Sequence, residues 1–206
     1  MKTMRKIGFL CCVLLIGASA ASAIPIGLDT DPLAMAGQQG LTHVSTSGSF
    51  ICDLTYAVYD LQAITYNGFD PSWGQDKYLY AYQVFNLGNS TVNMSVFSVL
   101  VPQGVIADNI AYDGSKGQTL GIPSSNQQFA GGSAVWRFDN HAIVPGKNSV
   151  VLLFTSNFGP GTSTASFEGD QITGEVKASV VSPVPEPVTL ALLGIGAITM
   201  FRKRSR

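Results

Sequence analysis

The sequence predicts an all-β fold, an antiparallel β-sandwich, set between two targeting segments. Three observations lead there. Helix signals are nearly absent from the middle of the chain, apolar residues come in short runs, and Gly, Asn, Pro and Ser clusters separate those runs. The composition agrees: of 206 residues 22 are glycine and 10 proline, and only 12% are charged. Residues 24–183 form one domain by size, long enough to bury a core of their own.

The elements follow in order. Residues 24–48 read as irregular, with Asp31-Pro32 and a Gly-Gln-Gln-Gly stretch at 37–40. Phe50 to Tyr66 is rich in strand formers and gives two strands, or one with a bend near Asp60. Asn67-Gly68 and Pro71 with Gly74 mark a loop. From Lys77 to Leu87 the residues alternate: Tyr78, Tyr80, Tyr82 and Val84 share one face, Leu79, Ala81, Gln83 and Phe85 the other. Asn86 to Ser90 reads as the clearest hairpin turn in the chain, returning Val92 to Val101 as an antiparallel partner. A shorter strand near Val105 to Tyr112 precedes a long polar interval, Asp113 to Gly132. Ala134 to Phe138 resumes alternation, with Trp136 and Phe138 opposite Arg137. Pro145-Gly146 turns the chain into Val150 to Phe154, a strand apolar on both sides. Ile172, Val176, Ala178 and Val180 alternate with polar residues as a half-buried strand. Seven to nine strands spaced in this way suggest an immunoglobulin-like or jelly-roll sandwich.

Charge is unevenly placed. Residues 24–183 hold five bases and twelve acids, a formal charge of −7, although the chain as a whole carries −1. A base-poor, acidic domain argues against nucleic acid and other polyanions as partners. Cys52 is the only cysteine in this region, so an intramolecular disulfide is excluded and the fold rests on its core.

Both ends read as membrane addresses. Lys2, Arg5 and Lys6 precede an apolar run from Ile7 to Gly17, and the small residues Ala21-Ser22-Ala23 follow. That layout is a secretory signal peptide over 1–23, cut after Ala23, with Ala18-Ser19-Ala20 a weaker alternative site. At the other end Pro185-Glu186-Pro187 precedes an apolar run from Val188 to Phe201 and the bases Arg202, Lys203, Arg204 and Arg206. As a helix, the run from 188 to 201 is about 21 Å long, short of a hydrocarbon core of about 30 Å. The basic cluster behind it resists translocation and stays cytoplasmic, so the run reads as a single short transmembrane helix suited to temporary tethering. Two prolines hold the backbone ahead of it extended.

The ordered set Val184-Pro185-Glu186-Pro187, apolar helix and basic terminus over residues 184–206 resembles the PEP-CTERM sorting signal of exported bacterial proteins. The resemblance implies an exosortase, a membrane-embedded cysteine peptidase or transpeptidase, as processing partner. It also implies that Pro185, Glu186 and Pro187 are the recognition residues. It further implies a bacterium that makes extracellular polysaccharide, and hence an association with envelope or matrix.

Chemistry is sparse elsewhere. His43 and His141 are the only histidines and no Gly-x-Ser-x-Gly elbow is present. Cys52 becomes a nucleophile only if tertiary contact brings a histidine to it. Asp29-Thr30-Asp31 resembles the start of a calcium loop but lacks the later acid or glutamate, so no metal or other cofactor is expected. Glu168 and Glu175 are the only glutamates available for glycoside hydrolysis in the domain. Tyr78, Tyr80 and Tyr82, spaced about 7 Å apart along a strand, form either a core stripe or a platform for sugar rings, the core being the better supported. Trp73, in a Pro-Ser-Trp-Gly loop, is a fourth candidate for carbohydrate contact. The favoured expectation is a non-enzymatic surface or matrix protein. A carbohydrate-binding module is the second, an exported hydrolase the third.

Overall fold

The computed structural model describes residues 28–46, 49–63, 76–113, 121–169 and 176–185. After a short 3-10 turn at Leu28–Thr30, the described residues form eleven strands: β1 (Gln39–Ser45), β2 (Ile51–Asp60), β3 (Tyr78–Asn86), β4 (Met94–Leu100), β5 (Ala107–Asp113), β6 (Asn126–Ala130), β7 (Ser133–Arg137), β8 (Lys147–Asn148), β9 (Val151–Ser156), β10 (Pro160–Gly169) and β11 (Val176–Pro183). One sheet runs β1-β2-β3-β9-β5, with β8 also paired to β3; the other runs β11-β10-β4-β7-β6. Every pairing between these strands is antiparallel. The expected all-β, two-sheet antiparallel architecture is therefore present.

Alternation explains how the sheets meet. Leu54, Val58, Tyr80, Tyr82, Leu152 and Phe154 of the first sheet share one core with Phe97, Val99, Trp136, Ala165, Phe167 and Val180 of the second. Aromatic rings carry much of the contact. Tyr82 lies 5.9 Å from Phe97 and 6.1 Å from Trp136, centroid to centroid, and Phe50 lies 5.7 Å from Phe167. Such offset and tilted pairs stabilise by about 1 kcal/mol each beyond their area. The indole N–H of Trp136 donates to the Ala111 carbonyl at 2.9 Å, so the largest core side chain leaves no polar atom stranded.

The first sheet is covered on its outer face too. Ala57, Tyr59, Leu79, Ala81, Val151 and Leu153 point away from the second sheet and pack with Leu28. The Tyr59 hydroxyl donates to Asp31 at 2.8 Å, fastening this N-terminal cover. A strand between two apolar layers reads as a continuous apolar run, which is why all six residues of β9 are buried.

Several expectations are corrected. The described residues already form eleven strands against the expected seven to nine. β1 lies in the supposedly irregular segment, where it pairs with β2 from Gln39↔Ala57 to Ser45↔Ile51. β6 lies inside the polar interval: as an edge strand, exposed along most of its length, it needs few apolar residues. The 86–90 connection is not a hairpin. β3 and β4 belong to different sheets, and the segment arches from one to the other. Asn86 drives this, because its buried amide donates to the carbonyls of Val92 (2.8 Å) and Ile143 (2.7 Å). The tight hairpin is at Gly131-Gly132, joining β6 to β7, with φ of 59° and 77° as a type I′ turn requires.

The registers define the two ends of the sandwich. Ser156 stands opposite both Tyr78 and Ala107, Leu100 opposite Ser133, and Pro160 opposite Pro183. One end thus gathers the start of β3, the β4–β5 connection, the Gly131-Gly132 turn, the β9–β10 connection and the point where the chain leaves β11. The arch at 86–93 and the turn at Pro145-Gly146 lie at the other.

Candidate functional site

The chain exit is built from the β10–β11 pair and braced from the opposite sheet. β11 pairs with β10 without a break from Val176 to Pro183. The contact continues one residue further, since the Val184 N–H donates to the Gly159 carbonyl at 3.1 Å. Gly161 makes room for this: a Cβ there would run into the Val184 side chain, closer than real Cβ contacts come. Only a residue without a side chain lets the valine seat. Pro185, the next residue, is exposed.

Two buried tyrosines of β3 reach across to this end. Tyr82 donates to the Val181 carbonyl of β11 at 2.7 Å, and Tyr80 donates to the Phe158 carbonyl in the β9–β10 connection at 2.7 Å. Ser182, itself buried, donates to the Leu100 carbonyl at 2.9 Å. Asp76, at the entry to β3, fixes the same connection. Its carboxylate accepts from the Asn157 amide at 2.8 Å, from the Asn109 amide at 3.3 Å and from the Thr155 hydroxyl. Asn109 has φ of 53°, at the bulge where the β5–β9 register shifts. That geometry turns its amide toward Asp76. These hydrogen bonds leave the β9–β10 connection and the end of β11 little freedom.

Of the two readings of the tyrosine stripe, Tyr80 and Tyr82 take the favoured one, core, and not the sugar platform. Tyr80 and Tyr82 are 0% and 1% exposed, stacked on Phe154 at 5.2 and 5.9 Å, and their hydroxyls are used internally. The second sheet supplies aromatic partners that solvent cannot, so this face turns inward. Burial pushes both phenols well above their ordinary range. Tyr78 is half-buried, with the Lys77 ammonium 5.0 Å from its ring centre. Trp73 lies outside the described residues, as do Ala21 and Ala23, Glu186 and Pro187, the apolar segment 188–201, and Arg202, Lys203, Arg204 and Arg206.

Cys52 and His43 are kept apart. Cys52 is fully buried on the inner face of β2, and burial drives its thiol far above the ordinary cysteine range. His43 is paired instead with Asp53, Nδ1 to Oδ1 2.7 Å, on the exposed outer face one residue along the strand. Thiol and imidazole therefore sit on opposite faces of the sheet. Asp31, the second acid of the calcium-like segment, uses one carboxylate oxygen for Tyr59 and the other for the Leu33 N–H. Glu168 is exposed on β10, and Glu175 lies outside the described residues. Among the described residues, one surface depression is lined by Val101, Pro102, Val105 and Phe129 and another by Ile122, Pro123, His141 and Val144; neither of these includes a tyrosine of the stripe.

The residues that hold the exit, Gly159, Gly161, Asp76 and Ser182, had no signal in the sequence, because each acts through a partner distant in the chain.

Comparison with known proteins bears on this exit. Residues 183–205 match the PEP-CTERM protein-sorting motif. No curated protein matches the chain. The chain thus carries at its C-terminus the sorting signal of an exosortase-targeted, exported protein, and the signal implies a place in the envelope or at the cell surface. The matched segment begins at Pro183, the last residue of β11, so the signal starts inside the folded sandwich.

Proposed function

We propose that this is a non-enzymatic surface or extracellular-matrix protein: a β-sandwich exported behind a cleaved signal peptide, held briefly by its apolar C-terminal helix, and processed near Pro185-Glu186-Pro187. The observation that carries the reading is the sorting motif joined without a spacer to a tightly packed sandwich. A domain whose conspicuous aromatic residues serve as core and whose thiol is buried suits a structural cargo. Its acidity, five bases against twelve acids over residues 24–183, favours partners bound through neutral hydroxyl-rich or apolar surfaces rather than through anionic groups.

Cell fractionation tests this proposal. The full chain is expected in the surface or matrix fraction, and a chain stopped after Pro183 is expected to be lost to the medium. Equal distribution of the two would contradict the sorting role. The non-enzymatic part is tested by a hydrolase screen on the purified domain. Activity that disappears in a Glu168→Gln, Glu175→Gln double variant would replace this reading with that of an exported hydrolase.

A further inference from the structure

We infer that the fold itself restrains processing: the sandwich clasps the chain through Val184, and the sorting motif is fully presented only when the end of β11 lets go. The inference rests on the reading of residues 183–205 as a processed signal. A peptidase binds its substrate as an extended strand over several residues around the scissile bond, because it needs free backbone N–H and C=O groups to pair with. Here the row of those groups that faces β10 is already engaged on the N-terminal side of Pro185-Glu186-Pro187. β11 is paired to β10 up to Pro183, Val184 donates to Gly159, and Val184 fills the space that Gly161 leaves open. Tyr82 of β3 holds the Val181 carbonyl, and Ser182 of β11 is tied to the Leu100 carbonyl of β4.

The distance on the other side is as short. Only Pro185, Glu186 and Pro187 separate Val184 from the apolar run that begins at Val188. Three extended residues span roughly 10 Å. While the clasp is closed, the motif is confined between the end of the sandwich and the start of the apolar segment, leaving an enzyme little backbone to grip. Opening requires only local fraying, since β11 is an edge strand whose final residues can leave β10 without melting the core. A folded, intact β11 would then set the pace of cutting, and a loosened one would hasten it.

The experiment follows processing of the full chain by pulse–chase in a bacterium that processes the wild type. Three variants are compared with it: Gly161→Ala, a six-residue Gly-Ser spacer inserted between Val184 and Pro185, and the two combined. Gly161→Ala displaces Val184 and weakens one backbone hydrogen bond, a change of about fivefold in an opening equilibrium. Processing is expected to quicken by about that factor. The spacer frees the motif outright and is expected to quicken it at least as much. In the spacer background Gly161→Ala is expected to add nothing, because the clasp no longer matters there. A spacer without effect, or a Gly161→Ala effect that persists in the spacer background, would overturn the inference. A Pro185→Ala, Pro187→Ala double variant separates the premise: if it is cut as fast as the wild type, the reading of the tail itself fails, and the clasp with it.

Discussion

Single side chains in this protein do work at a distance in sequence, and the tyrosines of β3 are the clearest case. Tyr82 is core on three sides and a hydrogen-bond donor to Val181 on the fourth. Tyr82→Phe keeps the ring and loses that bond, so it is expected to lower stability by about 1 kcal/mol in denaturant unfolding. The buried phenols and the Cys52 thiol also set an alkaline limit. Folded, all three hold their protons above the ordinary range; unfolded, they ionise near pH 8.5 to 10. Above that range the unfolded chain binds fewer protons than the folded one, and stability falls as pH rises. Denaturation midpoints measured from pH 7 to 11 should be level at first and then decline, and less steeply in the Tyr82→Phe variant. Asp76 is the third case, a buried carboxylate with three side-chain donors. Asp76→Ala strands those donors and is expected to cost about 3 kcal/mol, readable as a lowered midpoint.

At the scale of elements, what could be read in advance was whatever depended on alternation. β3 and β7 show their faces directly in Tyr78 to Asn86 and Ser133 to Arg137, and β9 is legible instead as the unbroken apolar run from Val151. β1 and β6 show neither signal, because edge strands carry polar and glycine residues that resemble loop. The arch at 86–93 differs from a hairpin for another reason: it has the residues of a turn, but Asn86 points inward and joins two sheets. Whether a turn closes a hairpin or crosses a sandwich depends on partners far along the chain, such as Ile143. The Gly131-Gly132 turn gives an element-level prediction. A Cβ at Gly131 meets nothing within 4 Å, so the cost of a side chain there is conformational alone. Gly131→Ala is expected to lose about 1 kcal/mol. Gly131→Asn should be nearly neutral, since Asn-Gly suits the same turn. Equal losses in thermal unfolding would contradict that geometry.

At the scale of the whole molecule, the described residues form a sandwich that the chain leaves at one end. The β9–β10 connection, the end of β11 and the Asp76 cluster meet where the chain departs toward the sorting signal, and none of that convergence was legible beforehand. The signal was legible, because Pro185-Glu186-Pro187, an apolar run and a basic terminus are contiguous in sequence and need no fold to be recognised. Its attachment to the domain was not, because Gly161 and Val184 meet only in three dimensions. The central claim is that the exported chain is cut close to where the sandwich ends. Intact mass of the protein recovered from the cell surface tests it most directly. The account predicts a species lacking residues 1–23 and ending within a few residues of Pro185. A surface species that retains Arg202 to Arg206 at its C-terminus would contradict it.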